Sequence, residues 1–468
     1  LPVIFFVFFR MMITDSSCVL SAVRLSYFIE EKYKYEKTSA RSRIAQSHLR
    51  QNTGDQLSKQ LLELLDKKPR AALAEVSKLI DKDPSNADLW ELAGRAHHKL
   101  GDFISAEKNF DKALSLHANH RKSLYSKAGL FYAQERFDEA EIFARQAISS
   151  LNPTHALPVK LLLANILHKQ KKYTESIACF EELIAIEPKK WSYRNHLALI
   201  YQELALFDKM HEAYSQAKKL TNHNPLPYFN HIVSSHYDPA TTAQIIKERC
   251  TEWQRVFKPL LPIERASALN KAKNKKIRIG MISDGFRSHP VGMMISIGLS
   301  HVVPSEIEFY AYSTTAISDQ ITQRIQRITE KWTQVEELSD TELNMMIRED
   351  EIDILFDLNG YNSNSRMQTL RLQPAPVMIK WVGGLISSTG LEGMDYLLSD
   401  TIETPLDVDN LYTEKLIRLP VDYICYDPPG YLPLVSSLPS EKMVTSLLAA
   451  LIMRQKSAMN YCRNGLFY

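Results

Sequence analysis

Long apolar runs are scarce in this chain. The amino end, LPVIFFVFF, holds nine apolar residues before Arg10, far short of the roughly 20 that a membrane-spanning helix needs. No basic segment precedes it, as one would in an export signal. We expect translation to start at Met11 or Met12, the first ten residues coming from an over-extended reading frame. Charge of one sign is also lacking: the formal net charge is +3, too small to point to nucleic acid or an anionic membrane surface as partner. Cys18, Cys179, Cys250, Cys425 and Cys462 are odd in number and never in CxxC spacing. That argues against a disulfide framework and a zinc site, and favours a reducing, cytoplasmic compartment. Neither GxGxxG nor GxxxxGK[ST] occurs, so no dinucleotide fingerprint or P-loop is present, and an epimerase-like enzyme is disfavoured.

What remains is ordinary for soluble globular chains: 45% hydrophobic and 24% charged residues. Residues 1–52 read as a poorly ordered leader with one helix near Tyr27–Tyr35. From 53 to 224 the sequence repeats. Trp90, Gly94, His97, Ala106, Phe110 and Ala113 return at one constant offset as Leu124, Ala128, Phe131, Ala140, Ala144 and Ala147. After a two-residue insertion near Asn152-Pro153-Thr154 come Ala164, Leu167, Ser176, Phe180, Leu183 and Pro188. The same offset then leads to Ala198, Tyr201, Met210, Tyr214 and Ala217. Ala72 and Pro84 fit a degenerate first copy. Small residues at fixed places in two helices, with a period of about 34 residues, are the tetratricopeptide signature. The small residues let paired helices approach closely, and bulky ones fill the space to the next repeat.

Residues 225–275 break that register with Pro225, Pro227, Pro239, Pro259 and Pro262. They read as a connector with one helix around Thr242–Phe257, ending in a solvated basic run, Lys271–Lys276. From Lys276 strands alternate with helices. Strands are expected at Ile277–Ile282, Ile307–Tyr312, Ile352–Leu358, Val377–Val382 and Tyr396–Ser399, and helices at Asp319–Trp332 and Thr341–Arg348. Such alternation implies a mostly parallel sheet with helices on both faces.

Three clusters could carry chemistry. His289-Pro290 follows the first strand and a polar turn, where a helix N-terminus favours an anionic ligand and a neutral imidazole could take a proton; a structural histidine is the plain alternative. Asp357-Leu358-Asn359-Gly360-Tyr361-Asn362 ends a buried strand, as a site or as an Asx turn. Arg366 and Arg371 beyond it could meet phosphate or carboxylate, or serve as ordinary salt-bridged arginines. Gly383-Gly384 after Trp381-Val382, with Ser387-Ser388-Thr389-Gly390 beyond, allows close backbone approach to a ligand.

Taken together, the repeats and the segments SDGFRSHPVG, DLNGYNSNSR, QPAPVMIKWVGG, STGLEGMDYLLSDTIETP and YTEKLIRLP resemble the protein O-GlcNAc transferase family, including its bacterial and SPINDLY-type relatives. The resemblance implies a tetratricopeptide superhelix followed by an α/β Rossmann-like lobe, the first half of a two-lobed glycosyltransferase of GT-B type. It implies transfer of a sugar from a nucleotide donor, UDP-GlcNAc, to Ser or Thr of proteins, with inversion and without a metal or a separate cofactor. Protein or peptide acceptors would lie along the array. His289 matches the family's active-site histidine, and Asp350 an acidic position suited to proton relay. Tyr361 and the Gly383–Gly384 turn match positions that line the sugar pocket, and Asp357, Asn359 and Thr389 are expected with them as substrate-binding residues. Asn362 and Leu385 depart from the family pattern at the sugar end. The non-catalytic alternative is a tetratricopeptide scaffold for binding proteins.

The resemblance runs from about residue 53 to 442, with the lobe at 276–442. Met443–Tyr468 matches nothing in the family, and a frame disruption near Lys442 is expected to have replaced the second lobe. On that expectation the chain as written fails a sugar-transfer assay and a frame-restored version passes. Resequencing the coding DNA across Lys442 tests it directly.

Overall fold

The computed structural model describes residues 60–149, 156–221, 223–257, 264–267, 276–302, 305–384 and 387–426. The start and leader, the insertion near Asn152, nearly all of the basic run Lys271–Lys276, Leu385 and the tail Met443–Tyr468 lie outside them. The chain divides at residue 200 into two compact units.

The first unit is helical. After a helical segment over 60–67 come α1 (Pro69–Lys82), α2 (Ala87–Lys99), α3 (Phe103–Leu116), α4 (Arg121–Ala133), α5 (Phe137–Ile148), α6 (Leu157–Lys169), α7 (Tyr173–Ile186) and α8 (Trp191–Glu203), the last running across the division. The starts of α2 and α4, and of α6 and α8, are separated by the period read from the sequence. The small residues sit where helices touch. Ala106, Ala128, Ala140, Ala144, Ala147 and Ala164 are fully buried, and a Cβ on Gly94 would overlap the Phe110 ring. Where Ser176 replaces alanine, its hydroxyl donates to the Ala164 carbonyl oxygen at 2.8 Å, so the close approach leaves no polar atom unpaired.

The second unit opens with α9 (Phe207–Lys219), α10 (Leu226–Ser235) and α11 (Ala243–Val256). The expected connector is therefore two helices, not one. Pro225 caps α10 and Pro227 lies in its first turn, the positions where proline starts a helix rather than breaking one.

Seven parallel strands follow: β1 (Ile277–Ser283), β2 (Ile307–Ser313), β3 (Lys331–Gln334), β4 (Ile354–Asp357), β5 (Val377–Lys380), β6 (Tyr396–Asp400) and β7 (Lys415–Leu419), in the order β3-β2-β1-β4-β5-β6-β7. Between them run α12 (Pro290–Ser300), α13 (Gln320–Gln326), α14 (Asp340–Glu349) and α15 (Met367–Arg371). Alternate residues enter two cores, as the strand's two-residue period dictates. Ile282, Tyr310, Tyr312, Leu355 and Met378 pack with Tyr228, Phe229, Ile232, Ile246 and Trp253 of α10 and α11. Met281, Phe309, Ala311, Phe356 and Ile379 pack with Ile295 and Leu299 of α12. The residues read as a connector thus close one face of the sheet.

One expected helix is corrected. Asp319 does cap α13, with a capping box to Thr322, but the helix ends at Gln326 and Trp332 lies in edge strand β3. The strand is too short to show a period in sequence. β7 was likewise not anticipated as a strand.

Candidate functional site

The strand order reverses between β1 and β4, since β2 and β3 extend to one side and β5 to β7 to the other. Open parallel sheets bind ligands at such a switch point, outside the carboxyl ends of the strands. The ends of β1, β4 and β5 are in register there, Ile282 beside Asp357 and Asp357 beside Lys380. Two loops flank the reversal: 284–289 after β1 and 358–366 after β4.

The first loop is held from below. Phe286 is fully buried against Trp332, and its carbonyl accepts from Thr322 Oγ1 at 2.7 Å. Asp319 accepts from the Ser288 N–H at 2.6 Å. His289 is the N-cap of α12, with Pro290 in the first turn as expected. Its Nδ1 accepts from the Val291 N–H at 3.3 Å, so the neutral ring's proton sits on Nε2. His289 is therefore arranged to donate a hydrogen bond from Nε2 rather than to take a proton there. Burial, then the Arg287 charge, lowers its pKa. Asp284, at the end of β1, is buried, and burial raises its carboxyl against the lowering effect of Arg287.

The second loop lines a small cleft together with residues beyond β5 and on α10. Its walls include Ile232 and His236 of α10, with Tyr361, Lys380, Gly384 and Thr389. Three of the expected substrate-binding residues, Tyr361, Gly384 and Thr389, are thus brought together. Asp357 and Asn359 shape the loop instead. The Asp357 carboxylate accepts from the Asn359 and Gly360 N–H groups, and Asn359 Nδ2 donates to the Ser363 carbonyl at 2.9 Å. Both side chains are buried. The Asx-turn alternative describes them.

Lys380 was not singled out in sequence. It is buried, 3.9 Å from Asp357 Oδ2, and donates to the carbonyl oxygens of Val382 and Gly383. Val382, Gly383 and Gly384 all have positive φ, which curls the turn's carbonyls around the ammonium. A Cβ at Gly383 would overlap the Leu358 carbonyl oxygen, so this turn requires glycine. Burial lowers the Lys380 pKa against the opposing pull of Asp357 and Glu414.

The far wall is fixed by buried polar contacts. Glu414 accepts from Ser388 Oγ at 2.9 Å and from the Thr389 N–H at 2.7 Å, and also from the Thr389 hydroxyl. The Tyr361 hydroxyl donates to the Thr389 carbonyl and accepts from Trp253 Nε1 of α11 at 2.7 Å. Burial raises the Tyr361 pKa well above its ordinary value, so the phenol stays protonated.

Other expected residues are placed elsewhere. Asp350 caps the C-terminus of α14 at the amino edge of the sheet, the opposite edge from His289. It pairs with Lys331 at 2.6 Å and accepts from the Tyr312 hydroxyl at 2.8 Å. Asp350 is thus placed as an ion-paired helix terminus, apart from His289 and from the cleft. Arg371 donates to the Gln254 and Phe257 carbonyls at the end of α11, and Arg366 to the Val335, Glu336 and Leu338 carbonyls. Both arginines tie the scaffold together. Among the described residues no group of three or more His, Cys, Asp or Glu side chains is arranged to hold a metal, and no helix is long and apolar enough to cross a membrane.

The described residues thus combine a helical repeat array with a parallel α/β lobe that carries a small cleft beyond the ends of β4 and β5. Residues 250–443 match the model of glycosyl transferase family 41, and 66–106, 99–156 and 157–190 match tetratricopeptide repeat models. Over these stretches the chain is similar to the O-GlcNAc transferase family. Over 203 residues it is 28% identical to a Solanum lycopersicum protein named a probable UDP-N-acetylglucosamine–peptide N-acetylglucosaminyltransferase SPINDLY, covering 42% of this chain and 22% of that one. The Arabidopsis thaliana protein of the same name is 30% identical over 203 residues, with the same coverage. A Caenorhabditis elegans UDP-N-acetylglucosamine–peptide N-acetylglucosaminyltransferase is 32% identical over 174 residues, covering 36% of this chain and 14% of that one. The chain therefore spans only 14% to 22% of the length of these relatives in the matched stretch. A mutant O-GlcNAc transferase of Thermobaculum terrenum shares the fold, with a TM-score of 0.56 and 24% identity over 75% of this chain and 60% of that one.

Proposed function

We propose that the chain supplies the acceptor-binding array and first catalytic lobe of a protein O-glycosyltransferase. In that reaction a Ser or Thr hydroxyl oxygen attacks the anomeric carbon of a nucleotide sugar, UDP-N-acetylglucosamine. The bond from that carbon to the nucleoside diphosphate breaks, the diphosphate leaves with the electron pair, and the hydroxyl's proton passes to the leaving diphosphate or to water. The observation that carries the reading is the match of residues 250–443 to the transferase family, a segment whose Tyr361, Gly384 and Thr389 line one small cleft. The glycine turn lets a sugar approach the backbone closely, and Tyr361, pinned by Trp253, offers a fixed ring face. His289, with its proton on Nε2, suits a donor to ligand oxygen. A cytoplasmic compartment is part of the proposal, consistent with Cys179 and Cys250, which form no disulfide among the described residues.

Binding and transfer test this separately. Saturation-transfer NMR with UDP-N-acetylglucosamine and with a guanine nucleotide sugar should show contact for the uridine compound, lost in Gly384→Val. Labelled sugar transfer to protein, where it occurs, should fall at least tenfold in His289→Ala, about the loss of one charge-stabilising hydrogen bond. Absence of contact with either nucleotide sugar overturns the reading.

A further inference from the structure

The cleft contains a second histidine, on the helix taken from sequence for a connector. His236 follows the last residue of α10, and its Nδ1 lies 2.9 Å from the Ile232 carbonyl oxygen one turn back. A carbonyl oxygen can only accept, so Nδ1 carries the proton and the neutral ring's Nε2 keeps its lone pair. Nε2 is buried and has no partner among the described residues, and His236 is one of the residues that line the cleft, with Tyr361, Asn362, Lys380 and Gly384. Burial, with a smaller contribution from Arg249, lowers the His236 pKa against its bonds to the Ile232 and Val233 carbonyls. Lys380, which also lines the cleft, is turned into the carbonyls of its own loop. His236 thus carries an unpaired hydrogen-bond acceptor on a residue lining the cleft, the reverse of His289, whose Nδ1 accepts from Val291 and whose Nε2 donates. A buried acceptor left without a donor costs about 1–3 kcal/mol, which a ligand O–H would relieve.

We propose that His236 is a ligand-positioning residue of this cleft, its neutral Nε2 accepting a hydrogen bond from a ligand hydroxyl. The proposal rests on the glycosyltransferase reading of the same cleft and adds to it a residue and a polarity. Such a hydroxyl belongs either to the donor's sugar or to an acceptor Ser or Thr, and the experiment separates these sources.

The first measurement needs no ligand. In the full chain labelled with 15N-histidine and 13C-lysine, long-range proton–nitrogen spectra should show His236 as the Nδ1–H tautomer. The Nε2–H tautomer overturns the proposal. The same sample is then titrated with N-acetylglucosamine, with UDP-N-acetylglucosamine and with N-acetylserine amide. A saturable shift of His236 Nε2 with the sugars assigns the bond to the sugar hydroxyl, and a shift with the serine amide assigns it to the acceptor. His236→Phe, which keeps a ring without the acceptor, should weaken binding of the responding probe about tenfold. His236→Gln, which keeps an acceptor, should stay within about threefold; thermal melting checks that both variants are folded. If Lys380 responds to a probe while His236 does not, or if the Phe variant binds as wild type does, the His236 proposal falls and the transferase reading stands. If neither responds to any probe, the reading of the cleft falls and takes the proposal with it.

Discussion

Lys380 and Asp357 show how single residues shape this site. Each is buried, and their charged atoms are 3.9 Å apart. Removing one partner of a buried pair leaves an uncompensated charge and costs about 3–5 kcal/mol. The turn carbonyls around Lys380 and the N–H groups on Asp357 already satisfy much of each group, so we expect Lys380→Met to cost about 3 kcal/mol, the low end of that range. Asp357→Asn keeps an oxygen for the Asn359 and Gly360 N–H groups. The double variant should therefore be less destabilised than the two single losses summed, by at least about 1 kcal/mol. Urea denaturation measures all three, and strict additivity would show that the pair does not interact. Sequence made Asp357 legible, because an aspartate followed by Asn-Gly at a strand end predicts the turn that is observed. It hid Lys380, because a lysine beside Trp381 at the end of an apolar strand reads as the solvent side of an alternation. Only the backward curl of three residues with positive φ encloses it. His236 was hidden for a related reason: its polarity is set by a carbonyl four residues back, on a helix that the prolines concealed.

Elements with strong local signals were read correctly, and those defined by tertiary neighbours were not. The repeat helices follow the sequence period because close packing fixes small residues at fixed places, and β1, β2 and β4 follow their apolar runs. β3 has four residues and gains its identity from pairing with β2. α10 and α11 are amphipathic against the sheet, a partner invisible until the sheet exists. Two glycines separate local from tertiary demand. In α4, a Cβ on Gly129 would meet nothing within 4 Å, so Gly129→Ala should stabilise by about 0.5–1 kcal/mol through helix propensity and unfolded-chain entropy. Gly383 has φ +68° and a backbone oxygen where a Cβ would stand. Gly383→Ala should therefore destabilise by at least about 2 kcal/mol and open the carbonyl shell around Lys380. Denaturation curves of the two variants should move in opposite directions; the same sign for both would refute this account.

Across the whole molecule the same balance of burial and pairing has a pH signature. His98, His196, His231, His236 and His289 all have pKa values lowered chiefly by burial. His231 is the extreme, lowered to about 2 by burial and by the charges of Arg249, Lys218 and His211. Its Nε2 meets His211 Nδ1 at 2.9 Å, and His211 Nε2 meets Asp238 at 2.9 Å, so the ring is held neutral in a chain of hydrogen bonds. Above the unfolded-state pKa of about 6.5, folded and unfolded forms are both neutral and these histidines make stability independent of pH. Below it the unfolded chain takes up protons that the folded chain refuses. Stability is then lost as pH falls towards each folded-state pKa, by up to about 1.4 kcal/mol per pH unit for each such histidine. For His231 the loss continues down to about pH 2. Hydrogen exchange of the α10 amides, corrected for intrinsic rates, reads this in the unit that contains His231 without requiring the whole chain to unfold together. Their opening free energy should be level from pH 8 to about 6.5 and fall below it, and His231→Gln should remove about 1.4 kcal/mol per pH unit from that slope. An unchanged slope in the variant would mean that His231 takes up its proton in the folded state, against the burial that shapes this end of the sheet.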